Sequence, residues 1–259
     1  MKEFVLLDGA MVAGALGTST YFADPKADGV ASLMPREEAL RLVGPLLLDG
    51  SKLRSLAPAM FEDIQRVYRA YPHMLHVSIC QSALELDALA EHLRSFACFY
   101  DALGHPYGLR VADCRVLSYL PDVLTEAQWD AMTAPMAQWK IHDRSGQMRT
   151  LRLHDGRLSP VAEPPIFRLD DAQIEALMQA GEADLLLSLL GLQPEATALQ
   201  HVQANHDTAR ACLAYWQRRG SADRGLLIAF ARSVFKAGAA VLKNSQRTDA
   251  LWVAAGKFR

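Results

Sequence analysis

The sequence has no apolar run long enough to cross a bilayer. A transmembrane helix needs about 20 consecutive apolar residues, and no stretch of the 259 residues approaches that length. The first apolar run is short and is interrupted by Asp8, far short of the core of a signal peptide. We therefore expect a cytoplasmic protein that has no membrane partner.

Cysteine and histidine chemistry is equally sparse. The four cysteines lie far apart and form no C-x-x-C pair, so we expect buried, reduced thiols rather than disulfides or a zinc site. His73 and His76 lie three apart at the start of a predicted strand, where odd spacing would direct them to opposite faces. His201 and His206, five apart on a predicted helix, do not share a face well either. We predict no metal and no cofactor.

Motifs for a catalytic nucleophile are also missing. The chain has no G-x-S-x-G elbow, no cysteine in a signature context and no G-x-G-x-x-G loop. Asp8, Asp49 and Asp113 follow or end predicted segments, and they could act as acid or base groups if they converged in one pocket. We predict a non-enzymatic protein and keep a small-molecule enzyme on an α/β scaffold as the alternative.

The overall composition is that of a globular protein, with 51% hydrophobic and 22% charged residues. The net charge of −2 conceals an asymmetry, because residues 197–259 carry ten Lys and Arg against three Asp and Glu. The remainder carries 17 against 26. A basic region could meet nucleic acid, an acidic partner or the acidic front part of its own chain. Its basic residues are spread along apolar helices rather than clustered in a tail, so we predict no nucleic-acid partner.

The first half alternates short apolar strands with amphipathic helices. Strands are predicted over residues 4–7, 46–49 and 75–80, and hairpins over 97–112 and 136–154. Helices are predicted over 10–16, 35–41, 51–71 with a division at Pro58, about 83–95 and 125–132. Ser82 and Glu85 have the spacing of a capping box. His92 is expected on the polar side of the helix that follows, facing away from the core. The pattern predicts an α/β (α+β) N-terminal lobe with a mixed sheet and flanking helices.

The second half contains only predicted helices. Residues 155–165 are the richest in Pro and Gly, which places a domain boundary there and gives domains 1–158 and 159–259. Helices are predicted from Asp170 or Asp171 to 178, over 183–190, over 194–219 and over 221–243, and they form a small all-α bundle. Trp216, Phe235 and Trp252 are predicted core residues. An aromatic residue near Arg218 and Arg219 could equally contact a partner.

A charged turn follows the first hairpin. Arg110, Asp113 and Arg115 lie within six residues, so that Asp113 can cap the following turn while a guanidinium pairs with it bidentately. We interpret this arrangement as an internal ion-pair clamp. A directly exposed binding site is the alternative.

Four short pieces of the first half together carry a family resemblance. The pieces are residues 6–10 (LLDGA), 44–48 (GPLLL), 91–94 (EHLR) and 109–117 (LRVADCRVL). In this order and spacing they resemble the family of bacterial type VI secretion adaptor chaperones, long catalogued as a domain of unknown function, over residues 4 to 155. The family's last motif reads aromatic-Arg-x-x-Asp-x-Arg with a proline before the final Arg. Here Leu109 and Cys114 replace the aromatic residue and the proline, whereas Arg110, Asp113 and Arg115 match.

The resemblance implies a non-enzymatic adaptor that holds a toxic effector in the cytosol and loads it onto the tip of the secretion spike, the VgrG protein. The implied partners are the type VI effector and VgrG, and we expect a monomer when the protein is free. The predicted motif or partner-binding residues are Asp8, Arg110, Asp113, Arg115, Trp216, Arg218 and Arg219. An immunity protein that binds and blocks a toxin is a further alternative.

Overall fold

The structure, a computed structural model, describes residues 1–16, 28–34, 43–53, 58–153 and 166–257. The chain divides into two compact units, Met1–Leu177 and Met178–Arg259. The predicted class is confirmed, because a sheet with flanking helices is followed by a helical region. The predicted boundary between residues 158 and 159 and the predicted helix over 35–41 lie outside the described residues.

The first unit is built on a six-stranded sheet. Its strands are β1 (Lys2–Leu7), β2 (Val30–Ser32), β3 (Leu46–Asp49), β4 (Val77–Ser82), β7 (Met136–His142) and β8 (Met148–Thr150), and a separate hairpin contains β5 (Cys98–Tyr100) and β6 (Pro106–Gly108). The strand order is β2-β3-β1-β4-β7-β8, and the neighbouring strands pair antiparallel. In the interior strand β1, Val5 lies opposite Leu48 on one side and Ile79 on the other.

Helices flank this sheet and create two cores. They are α1 (Gly9–Leu16), α2 (Gly50–Leu53), α3 (Pro58–Ala70), α4 (Leu86–Arg94), α5 (Cys114–Leu117), α6 (Leu120–Val123) and α7 (Glu126–Thr133). Because strand side chains alternate between faces, β1 contributes to both cores. Phe4 lies in the large core with Leu89 of α4. Leu7 lies in a smaller core with Val67 of α3.

The elements around β4 correct two predictions. Ser82 is the last residue of β4, and its hydroxyl donates to the Pro135 carbonyl oxygen at 2.6 Å. The predicted capping box is therefore wrong, and α4 follows Glu85 without a side-chain cap. His92 was expected to face away from the core, but it is buried and its Nε2 lies 3.0 Å from the Met132 carbonyl oxygen.

Both predicted hairpins are confirmed, although their second strands are shorter than expected. The turn of the second hairpin contains Gly146 at φ +78°, a conformation that glycine adopts without steric cost. The predicted helix over 125–132 is also confirmed. It starts with a capping box in which Gln128 N donates to the Thr125 hydroxyl.

The first unit continues past the Pro/Gly-rich segment. Tyr100 N donates to the Phe167 carbonyl oxygen at 3.0 Å, and Leu169 N donates to the Tyr100 carbonyl oxygen at 3.1 Å. Phe167 and Leu169 are buried in the large core. The Gln173 amide donates to the Gln128 side-chain oxygen at 2.7 Å. These bonds tie the start of the next helix, α8 (Asp171–Leu190), to the first unit.

The second unit is helical. It contains the part of α8 from Met178 onward, α9 (Leu199–Arg218), α10 (Arg224–Ala237) and α11 (Ser245–Gly256). The predicted break between residues 178 and 183 is wrong, because Gly181 lies inside a continuous helix. Trp216 is buried, and Phe235 and Trp252 are partly buried against the same core, as predicted.

Candidate functional site

Asp8 directly follows the interior strand β1 and caps α1. Met11 N donates to Asp8 Oδ1 at 3.1 Å, and the Asp8 amide donates to the His76 carbonyl oxygen at 2.9 Å. A short acidic side chain at this position accepts one of the unpaired N–H groups at the start of a helix. Asp8 is only 4% exposed, so its carboxylate needs a further partner.

Asp113 caps α5 in the same way that Asp8 caps α1. Arg115 N donates to Asp113 Oδ1 at 2.9 Å, and the Arg115 guanidinium bonds the same carboxylate with Nε at 2.9 Å and Nη2 at 2.8 Å. Asp113 is 2% exposed. The cap and the bidentate pairing predicted from the spacing of these two residues are therefore both present.

Arg110 joins the two carboxylates. Its Nη2 lies 2.6 Å from Asp8 Oδ2, and its Nη1 lies 3.4 Å from Asp113 Oδ2. The Arg110 side chain is 49% exposed. We call Asp8, Arg110, Asp113 and Arg115 the Asp–Arg cluster. Its two positive and two negative charges balance. Through Arg110 the cluster links the chain after β1 to the turn after the first hairpin.

The electrostatics of the cluster hold Asp113 as a carboxylate. Burial alone would raise the pKa of Asp113, but the hydrogen bonds and charge of Arg115, together with the charge of Arg110, hold that pKa below its ordinary value of 3.8. A carboxylate with a lowered pKa that is occupied by two guanidinium groups is a weak proton acceptor. This geometry favours a positioning role over acid–base chemistry.

Asp49 does not join the Asp–Arg cluster. Because β1 and β3 run antiparallel, Asp49 lies opposite Phe4, at the end of β1 away from Asp8. Its Oδ1 accepts from Ser51 N at 2.9 Å and from Ser51 Oγ at 2.6 Å at the start of α2. The three carboxylates considered as acid or base groups therefore do not converge in one pocket.

Two histidines lie beside the Asp–Arg cluster, in the turn between α3 and β4. Their ring centres are 6.4 Å apart, and both rings are buried. The prediction that His73 and His76 point to opposite faces is wrong, because β4 begins only at Val77 and Met74 has a left-handed φ of +58°. Pro72 was the sequence signal that this segment is a turn.

Burial keeps both imidazoles uncharged. It lowers the pKa of His73 to about 4, with an additional lowering by the Arg115 charge, and it lowers the pKa of His76 to about 3. His73 Nδ1 accepts a hydrogen bond from Leu75 N at 3.1 Å. Both ring nitrogens of His76 are buried without a hydrogen-bond partner.

Three of the four thiols are buried and protected from reaction, whereas Cys98 is half-buried. Burial raises the pKa of Cys80, Cys114 and Cys212 to about 12, so that each is protonated at neutral pH. The Cys114 thiol donates to the Val77 carbonyl oxygen at 3.1 Å. Within the described ranges, no group of three or more His, Cys, Asp or Glu side chains is arranged to hold a metal ion.

The predicted residues of the second unit occupy two environments. Trp216 is buried, and its indole N–H donates to the Asp223 carbonyl oxygen at 3.1 Å. Arg218 and Arg219 are exposed. The Arg219 guanidinium pairs with Asp249 and with the hydroxyl of Tyr215. The two arginines are therefore accessible to a partner, whereas Trp216 supports the core.

An exposed apolar stripe on α8 was missed by the sequence analysis. Met178, Leu185 and Leu189 are 66%, 54% and 51% exposed. Spacings of seven and four residues place them on one face of a helix, along about 16 Å. The signal was the run LLLSLL at residues 185–190, which has apolar side chains around more of the helix than one core-facing side requires. We call these three residues the α8 stripe.

The first unit is thus an antiparallel-sheet domain whose turns are joined by a buried Asp–Arg cluster. Residues 4–131 match the family model described as Domain of unknown function (DUF4123), a span that includes all four residues of the cluster. No curated protein and no solved structure matches the chain. In the parts of the chain that the structure describes, no helix is long and apolar enough to cross a membrane.

Proposed function

We propose that the protein is a non-enzymatic adaptor chaperone that binds a type VI secretion effector in the cytosol and loads it onto the VgrG spike. This proposal rests on the observation that the charged motif residues pair with one another inside the fold. Arg110, Asp113 and Arg115 bond to one another and to Asp8, so these charges stabilise turns rather than form a reacting centre. Function is then carried by surfaces.

The second unit offers a surface of suitable chemistry. The α8 stripe presents apolar side chains to solvent, and apolar side chains on one helix face are a common contact for a partner helix. Residues 178–259 contain ten Lys and Arg against six Asp and Glu. This excess of positive charge would speed encounter with an acidic partner and would make binding depend on salt. We propose that the α8 stripe contacts an amphipathic, acidic segment of the effector.

The test mixes the full chain with the effector encoded beside its gene, at low salt, and follows the complex by size-exclusion chromatography. The wild type should co-elute with the effector, and Leu185→Asp should abolish co-elution, because it buries a charge in an apolar contact. Gln200→Asp is the matched control, since it adds the same charge at an exposed position on α9 rather than on α8. Its complex should persist.

Three outcomes contradict the proposal in whole or in part. Absence of a wild-type complex at low salt would reject the adaptor function itself. Equal loss in Leu185→Asp and Gln200→Asp would reject the α8 stripe while leaving the adaptor function in place. Protection of cells from the toxin, without any effect on its export, would favour the immunity protein instead.

A further inference from the structure

The helix face that carries the α8 stripe also contains a glycine. Gly181 follows Met178 by three residues and precedes Leu185 by four, so it lies on the same side of the helix. Gly181 is exposed. Among the described residues, no atom beyond its chain neighbours and the backbone of its own helix lies within 4 Å of the position that a Cβ would take. The stripe therefore has an open gap between two large apolar side chains.

The fold itself does not require this glycine. Gly181 has helical backbone angles rather than a left-handed φ, so any residue except proline could adopt its conformation. A side chain at this position would meet no obstacle in the described part of the chain. Glycine in the interior of a helix is also less stable than alanine. This glycine lowers the stability of the helix and relieves no clash within the chain, which indicates that a partner approaches α8 at this point.

A charged pair borders the gap. Glu182 lies three residues before Leu185, and its carboxylate accepts a hydrogen bond from the guanidinium of Arg224 at the start of α10. The Glu182 side chain is 16% exposed, whereas the Arg224 side chain is 55% exposed and lies over the ring of Trp216. A guanidinium has five N–H donors. Within the described part of the chain one of them bonds Glu182, so Arg224 has donors left for an acidic group beside the stripe.

We propose that the effector segment bound by the α8 stripe is an α-helix that crosses α8 closely at Gly181 and pairs an acidic side chain with Arg224. This inference rests on the proposed adaptor function. Steps of four, three and four residues, the spacing with which helices interlock their side chains, separate Met178, Glu182, Leu185 and Leu189. Without a side chain at position 181, the two helix axes can approach to the short end of the usual range of about 8–10 Å. An extended strand repeats every two residues and would not match these steps.

The first test measures the dissociation constant of the full chain and the effector encoded beside its gene by isothermal titration calorimetry. Gly181→Leu should weaken binding at least about tenfold, because the added side chain fills the gap. The same variant alone should be no less stable to urea than the wild type, because leucine is a better helix former than glycine. Ala204→Leu adds an apolar side chain at an exposed position of α9, and this control should bind like the wild type.

Charge reversal tests the role of Arg224. Arg224→Glu should weaken binding by about tenfold at low salt, and the difference from the wild type should shrink as salt is added. Arg232→Glu makes the same change of charge at an exposed position about 12 Å further along α10, and its affinity should stay close to that of the wild type. Hydrogen exchange of the effector should show a protected segment with apolar residues at three- and four-residue steps and at least one Asp or Glu.

Several results would overturn this inference while leaving the adaptor function in place. They are unchanged affinity or lower stability in Gly181→Leu, equal losses in Arg224→Glu and Arg232→Glu, and a protected effector segment with the alternation of a strand. A dimer of the chain alone that Gly181→Leu disrupts, with effector binding unchanged, would show that this face joins two copies instead. Absence of any wild-type complex would reject the adaptor function and this inference together.

Discussion

Replacing Asp113 by alanine should destabilise the first unit more than any other single change in the Asp–Arg cluster. The substitution removes the cap of α5 and leaves the Arg115 guanidinium, which is only 15% exposed, without its bidentate partner. Removing one partner of a buried ion pair costs about 3–5 kcal/mol. We expect a loss of free energy of unfolding within this range, because the loss of the cap and the loss of the pair are not independent.

The other members of the cluster give a graded series. Arg110→Ala should cost about 1–2 kcal/mol, between the values for exposed and buried pairs, because its side chain is half exposed and water can replace it. Arg115→Ala should cost more than Arg110→Ala, since it leaves Asp113 buried with fewer donors. In the double variant Asp113→Ala/Arg115→Ala the effects should fall short of the sum, because both changes remove the same bidentate ion pair.

Hydrogen exchange followed by mass spectrometry, in increasing urea at pH 7, measures this stability in each unit separately. Peptides from β1 and β4 report on the first unit, and peptides from α9 serve as the control from the second. A loss below about 1 kcal/mol in Asp113→Ala would refute the argument from buried ion pairs. Equal losses in Arg110→Ala and Asp113→Ala would show that Asp113 is not the residue on which the cluster depends.

Two further predictions concern buried polar groups in the first unit. The pKa values of His73 and His76 are lowered to about 4 and about 3, so below about pH 6.5 the unfolded chain binds protons that the folded chain does not. As the pH is lowered below about 6.5, the free energy of unfolding should fall by about 1.4 kcal/mol per pH unit for each histidine. Urea unfolding of His76→Leu should show a shallower dependence of this free energy on pH. An unchanged slope would contradict the prediction. Ser78→Ala should lower the free energy of unfolding by about 1–3 kcal/mol in the same assay. The reason is that the buried Trp139 indole N–H donates to the Ser78 hydroxyl at 3.0 Å. A decrease below about 0.5 kcal/mol would argue against this prediction.

The parts of the fold that depend on local spacing could be predicted from the sequence. Asp113 and Arg115 are two residues apart, so cap and ion pair follow from short-range geometry. Apolar residues at three- and four-residue steps likewise predicted α4, whose Leu89 and Leu93 are buried. The error at Ser82 has a long-range cause, because its hydroxyl bonds the Pro135 carbonyl oxygen, 53 residues away, and so is not used as a helix cap.

Partners that are distant in sequence account for most of what was missed. The ion pair between Asp8 and Arg110 spans 102 residues, and no local pattern identifies it. Asp-Gly pairs stand at the ends of both β1 and β3, which are neighbours in the sheet. The endings carried no information on direction, and the antiparallel pairing is what separates Asp8 from Asp49. Similarly, Gly181 interrupts the helical pattern locally, yet α8 continues through it because a single glycine costs a helix only about 1 kcal/mol.

The histidine pair shows how the choice of one strand boundary changes the functional interpretation. Starting β4 two residues early, at residue 75, made His76 a strand residue with an alternating side chain, whereas the strand begins at Val77 and the histidine lies in a turn. In a turn the face of a side chain is set by tertiary packing, which brings the His76 ring to 5.2 Å from the Tyr71 ring and leaves its nitrogens without a partner. A leucine at this position would avoid an unpaired buried polar group. The imidazole is therefore a cost to the stability of the fold, set by tertiary packing that a strand pattern does not predict.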